Sequence, residues 1–348
     1  MSYHLPKPDF QHYTKDYTIE QGTLHQYKKN DLVGWRLKFT ADSDFPNSWR
    51  EQWLGIEIPN MYKHNSNINI MLSGGSDSII TSLGFLECGY DVNHTIILWK
   101  DYDHITNARE VKEAFKFAGK HRIKYEVVEY NVKDFIDEWI TDPKWQGYST
   151  NIMDQSAQMW AVSKVDPSLF TIVSEPGFPD YHRHENGEFG FRTDLDNQQA
   201  QEIWRRFKFN GTCRPWFTSP KATAAFFAGD VAEKIIYDNI LNLPVGSTTY
   251  FPEFKYKAWS LMSGFNIEQY EVPKTSVQMF EKHKWLKKWH KAMAAGLLNL
   301  SNISLILEYS ANDFQDRIRN NTISDYWIDS SDWYHPPRTH TWHGGKLS

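Results

Sequence analysis

Six consecutive residues, Ser73-Gly74-Gly75-Ser76-Asp77-Ser78, have the types and spacing to hold a polyphosphate. Adjacent glycines remove side chains where backbone N–H groups must touch an anion. A helix starting near Ser76 would aim its positive end at the same spot. Asp77 places a carboxylate within the loop, suited to a Mg²⁺ ion that itself carries phosphate oxygens. The spacing G-x-x-x-x-G-K-[ST] occurs nowhere in the chain, so this is not a Walker A loop. A turn that merely linked a strand to a helix would gain little from paired glycines flanked by three serines and an aspartate.

Behind the apolar stretch Ile68-Asn69-Ile70-Met71-Leu72, this run resembles the S-G-G-x-D-S loop of the PP-loop ATP pyrophosphatases. The resemblance implies an adenine nucleotide alpha hydrolase-like α/β fold. It also implies ATP cleaved between its α and β phosphates, with adenylation of a carbonyl or carboxyl oxygen. Ser73, Gly74, Gly75, Ser76, Asp77 and Ser78 would then hold ATP, with Asp77 on Mg²⁺. Trp99, at the end of the second strand, would lie beside the adenine, followed by Lys100 and Asp101.

A second stretch narrows the resemblance. The segment Ala157 to Lys164, then Phe170 to Asp180, is similar in order and spacing to the asparagine synthetase and β-lactam synthetase branch. In that branch a strand ends in a serine, here Ser174, and an acidic loop supplies a second metal carboxylate. The role passes to Asp180, one residue displaced because Pro179 stands at the ungapped position; the alternative is a solvated aspartate on a Pro-Gly-Phe-Pro turn. Lys255 and Lys257, in Phe254-Lys255-Tyr256-Lys257, fall where that branch places catalytic basic residues, although a pair of surface lysines on a helix would look the same. Residue 2 is serine, not the cysteine nucleophile of a glutaminase domain, so the amine is expected from ammonia, another amine or an internal nucleophile.

Two other functional classes stay open. Lysidine synthetases carry a similar loop and need a basic face toward RNA. The run Lys282-His283-Lys284-Trp285-Leu286-Lys287-Lys288-Trp289-His290-Lys291 offers one, with Trp285 and Trp289 spaced to stack bases, or else to sit in the core of a solvated helix. A non-catalytic ATP-binding protein is the third. His182, His184 and Glu185, and His335, His340 and His343, have no zinc-ligand spacing and are expected as surface histidines.

Parallel strands and crossover helices must position the loop. The pattern predicts strands at Ile68–Leu72, Val92–Trp99, Ile123–Tyr130 and Leu169–Ser174. Helices are predicted from about Ser76 to Cys88, Ile105 to Lys120, Val132 to Ile140 and Asn151 to Val165. Ser73–Ser78, Trp99–Asp103 and Ser174–Asp180 would then meet at the carboxyl edge of the sheet. Residues 1–66 give a β-rich segment with a hairpin, Tyr17 to Tyr27 and Leu32 to Thr40, and no useful helical period. The α/β domain spans 67–220. A mainly helical part follows at 221–325, with candidates Ala222–Tyr237, Lys255–Ser263, Val277–Leu300 and Ile303–Asn320, and then an irregular tail at 326–348.

Composition excludes several classes. The chain has 348 residues, 40% hydrophobic and 23% charged, as expected of a globular protein with a sizeable core. A net charge of −5 argues against a general nucleic-acid coat. The two cysteines, Cys88 and Cys213, form no CxxC and offer no thiolate set for a metal. No apolar h-region and no 18-residue apolar run is present, so a cytoplasmic protein without membrane contact is expected. The many aromatics are expected to fill the core, with a minority left to line a flat pocket. The expected partners are ATP and an unnamed small-molecule acceptor, with RNA open and the oligomeric state unassigned.

Overall fold

The computed structural model describes residues 48–65, 67–145, 153–174 and 252–267, five strands outside these ranges, and scattered positions between 207 and 291. The predicted N-terminal hairpin is present as β1 (Tyr17–Tyr27) and β2 (Asn30–Phe39), paired antiparallel. A short strand from the tail, Trp327–Ile328, pairs with β2.

The next segment corrects the sequence reading. Residues expected to lack helix form α1 (Trp49–Gln52), a π-helical turn (Trp53–Glu57) and α2 (Ile58–His64). Trp49, Trp53, Ile58 and Met61 are the buried apolar residues, at spacings of four, five and three. The extra residue in the wide turn breaks the 3.6-residue period by which a helix is recognised.

From there strands and helices alternate as expected: β3 (Ile68–Met71), α3 (Ser76–Glu87), β4 (Asn93–Asp101), β5 (His104–Ile105), α4 (Ala108–His121) and β6 (Glu126–Asn131). Then come α5 (Val132–Thr141), α6 (Met153–Val162), β7 (Phe170–Ile172), a hairpin of β8 (Asp180–Arg183) and β9 (Phe189–Arg192), β10 (Gly211–Thr212) and α7 (Pro252–Ser263).

The main sheet runs β10-β7-β3-β4-β6, all parallel, with the two-residue β5 antiparallel to the end of β4. All four residues of β3 are buried, as a central parallel strand requires. Its residues alternate between two cores. Ile68, Ile70 and Leu72 join a cluster with α3 and α4, whereas Met71 joins one with α5 and α6. Helices therefore cover both faces, the Rossmann-like arrangement expected.

Beyond β10, α7 takes the place predicted for a helix at Lys255–Ser263. The helices predicted at Val277–Leu300 and Ile303–Asn320, and most of Ala222–Tyr237, lie outside the described residues. Among the described residues no helix is long and apolar enough to cross a membrane.

Candidate functional site

In the sheet, β3 has β4 on one side and the much later β7 on the other. Chain connections leave β3 and β7 in opposite directions at this point, which opens a crevice beyond their carboxyl ends. The Ser73–Ser78 loop follows β3 and Ser174 follows β7, so both border that crevice. They are tied together: the Thr81 hydroxyl, on α3, lies 2.8 Å from the Ser174 hydroxyl and donates to the Asp77 carbonyl at 3.0 Å.

Gly74 adopts a φ of +82°, and a Cβ placed there would sit 2.4 Å from the Glu110 carbonyl oxygen and 2.6 Å from the Ala114 nitrogen of α4. Only glycine lets the loop lie this close to a helix backbone. Gly75 differs. It is the N-cap of α3, and a Cβ there would meet only the Ser73 hydroxyl, at 3.4 Å. No side chain caps α3. Its first-turn amides have no intrahelical acceptor, and the helix dipole adds positive potential at the same place. The loop's hydroxyls hold its shape instead: Ser78 Oγ donates to the Gly75 carbonyl at 3.0 Å and lies 3.1 Å from Ser73 Oγ.

Asp77, on the first turn of α3, is the electrostatic centre. Lys255 Nζ donates to its Oδ2 at 2.5 Å, and Trp259 Nε1 donates to its Oδ1 at 2.8 Å. Both donors come from α7, where a spacing of four residues puts them on one face. Trp259 is fully buried in an aromatic cluster with Trp49, Trp216 and Phe226. Trp49 Nε1 donates to the Trp216 carbonyl, and Trp53, stacked on Trp49, donates from Nε1 to the Pro215 carbonyl. Between the two donors on α7, burial pushes the Tyr256 phenol up to about 12; the Asp77 charge adds to this and Arg109 opposes it. Tyr256 therefore stays a neutral hydroxyl at physiological pH.

The other sequence candidates distribute unevenly. Lys257 is exposed on another face of α7. Trp99 is 4% exposed, its ring packed among Tyr130, Phe135 and Trp160. Its N–H donates to Asn107 Oδ1, and its carbonyl accepts from the Thr106 amide and hydroxyl. Ring and main chain are thus both engaged within the fold. Asp180 begins β8, which follows the crevice strand β7, but residues 175–179 lie outside the described ones. His182 is a β8 residue, whereas His184, Glu185 and the tail histidines also lie outside them. Of the basic run, Lys288 and Lys291 are described: Lys288 pairs with Asp137 of α5 at 2.5 Å, and Lys291 is exposed; Trp285 and Trp289 lie outside. Nothing in the sequence pattern singled out Trp259, because a tryptophan inside a helix reads as core.

Among the described residues no group of three or more His, Cys, Asp or Glu could cage a metal ion. The donor set here is one carboxylate, side chain 15% exposed, beside bare amides. Each of its oxygens keeps a lone-pair direction beyond the bond it already accepts. That fits a Mg²⁺ arriving on a nucleotide, which needs one or two carboxylates besides water and phosphate oxygens. It does not fit a resident structural metal.

No family model matches the chain, and no curated protein matches it. It is similar to the NH3-dependent NAD synthetase of Campylobacter jejuni, solved with nitrate: 12% identity, 79% of this chain against 93% of that one, TM-score 0.33. NMN synthetase from Francisella tularensis is 10% identical over 72% of this chain and 96% of that one, with a TM-score of 0.30. The U34-tRNA thiolase NcsA of Methanococcus maripaludis, solved with its [4Fe-4S] cluster, is 11% identical over 64% and 82%, with a TM-score of 0.24. Likenesses this distant carry no argument about what the chain does.

Proposed function

We propose that the protein is an ATP-dependent synthetase that adenylates a carboxylate or carbonyl oxygen, releases pyrophosphate and passes the activated group to an amine. The observation that carries this reading is the bare N-terminus of α3 at the β3/β7 crevice, with Asp77 on its first turn and Lys255 beside it. The amides after Gly75 hold phosphate oxygens without reorganising, because the Ser73 and Ser78 hydroxyls fix the loop beforehand. Asp77 holds the nucleotide's Mg²⁺, with Asp180 as the proposed second carboxylate. Lys255 supplies a cation where charge grows on the departing pyrophosphate, and Lys257 is a secondary candidate on the same helix.

Attack of the acceptor oxygen on the α-phosphorus forms the adenylate and expels pyrophosphate. Attack of the amine then forms the new bond and releases AMP. The small-molecule reading is preferred to the RNA-modifying one, since Lys288, one of the two described lysines of the basic run, is already paired with an acidic residue.

Incubation of the protein with α-labelled ATP, Mg²⁺ and panels of carboxylates, amines and RNAs tests the reading. AMP with pyrophosphate, dependent on an acceptor, is the expected product; ADP, or no turnover with any acceptor, removes it. Asp77→Ala is expected to lower pyrophosphate release at least about 100-fold, and undiminished release would strip Asp77 of its role.

A further inference from the structure

The two oxygens of Asp77 are held by unlike donors. Trp259 is a neutral indole, fully buried and wedged among Trp49, Trp216 and Phe226, so its N–H cannot ionise or move far. Lys255 ends in a compact charge on a flexible stem, with its side chain 29% exposed. One donor is fixed and the other is replaceable. Both sit on one face of α7, a turn apart.

We infer that Lys255 is a resident cation occupying the metal side of Asp77, exchanged for the divalent ion when Mg·ATP arrives, while Trp259 keeps the carboxylate in place throughout. The inference rests on the reading of Asp77 as a metal ligand. Three physical points carry it. A carboxylate this enclosed would be costly without a compensating charge, so it needs a cation of its own whenever no metal ion is on it. An ammonium at 2.5 Å from Oδ2 and a divalent ion on that oxygen's remaining lone pair would repel each other at close range, so the two exclude one another there, whereas Oδ1 stays on the indole. The displaced ammonium, carried on a stem of four methylenes, remains within reach of the polyphosphate that brought the metal. One positive charge leaves the carboxylate and a divalent one takes its place, so the carboxylate itself is never left without a cation. Trp259 acts here as a positioning residue, because without its N–H both oxygens could turn toward the ammonium and strengthen the competitor.

The test uses the full chain and Mn²⁺ alone, without nucleotide, with bound ion counted by electron paramagnetic resonance. Mn²⁺ shares the oxygen preference of Mg²⁺ and reports its own coordination. Lys255→Met, which keeps the stem and removes the charge, is expected to bind Mn²⁺ about two- to fivefold more tightly than the unaltered protein. Lys255→Gln, measured alongside, should behave the same way, and thermal unfolding confirms that each variant is folded. Asp77→Asn is expected to lose this ion. Trp259→Phe is expected to bind it more weakly, since Lys255 then competes for both oxygens. Unchanged or weaker Mn²⁺ binding in both Lys255 variants overturns the exchange, as does full binding in Asp77→Asn. Unchanged or tighter binding in Trp259→Phe overturns the part assigned to the indole. Failure of the protein to release pyrophosphate with any acceptor would remove the adenylation reading, yet leave the Mn²⁺ comparison decisive for the exchange.

Discussion

At the scale of single residues, the two loop glycines look alike in the sequence and do different work. Gly74 answers to packing: its left-handed φ and the α4 backbone 2.4 Å from a would-be Cβ leave no room for alanine. Gly74→Ala is expected to destabilise the fold by about 2–4 kcal/mol, read as a lower urea midpoint. Gly75 borders open space apart from the Ser73 hydroxyl, so Gly75→Ala should leave the midpoint within about 1 kcal/mol while weakening ATP binding several-fold in a titration. Equal unfolding midpoints for the two variants would refute the distinction. The loop was legible because its chemistry is local, a run of small residues directly behind an apolar strand. Its partners were not equally legible. Lys255 could be placed only by resemblance, and Trp259 not at all, since nothing within ten residues of either discloses that α7 returns to Asp77.

At the scale of elements, the pattern of apolar residues located the strands and crossover helices to within a few residues, and the misses have local causes. The α4 helix was expected from Ile105 but begins at Ala108. His104 and Ile105 instead pair back on Asp101 and Lys100, and the Asn107 side chain spans the Trp99 amide and the Ile97 carbonyl. The larger miss is the helical segment at 49–64, hidden by its π turn. That turn sets the angular register of everything after it. Gly84 of α3 shows how tightly the register is held, for a Cβ there would fall 2.4 Å from the Trp53 ring and 2.6 Å from Ile58 Cδ1. Deleting the exposed Gly55 should convert the wide turn to ordinary helix and swing Ile58 and Met61 about 100° away from the core. We expect such a deletion to cost about 3 kcal/mol or more in denaturant unfolding, whereas Gly55→Ala, with nothing within 4 Å of its Cβ, should be nearly silent.

At the scale of the whole molecule, acid sensitivity and the proposed active site lie at opposite ends of the sheet. His94 lies at the start of β4, away from the crevice, 2% exposed, with Nε2 3.2 Å from the Ser82 hydroxyl. Burial drives its imidazole down to about 4 from an ordinary 6.5. The unfolded chain therefore takes up the proton first. The stability this histidine preserves is complete above pH 6.5, declines as pH falls and is gone below about 4, a loss of about 3 kcal/mol at most. His94→Gln should flatten that stretch of the stability-against-pH curve; a curve as steep as before would assign the slope to other groups. The general architecture was readable from the sequence because parallel strands buried on both faces announce themselves. The second core, with α5 and α6 against Met71 and Val173, followed from the same alternation.

Trp259 ties the Ser73–Ser78 loop to a helix made long after it, and this has a consequence for the protein during its own synthesis. A ribosome that has extended the chain through Thr212 has produced every strand of the main sheet, with the serines and glycines of the loop already in order. Asp77 nevertheless lacks both its lysine and its indole until residues 252–263 have emerged and docked. Nascent chains stopped short of that point would carry the whole Ser73–Ser78 loop with its acidic side chain unsteered, so the proposed activity would arrive late in translation and all at once.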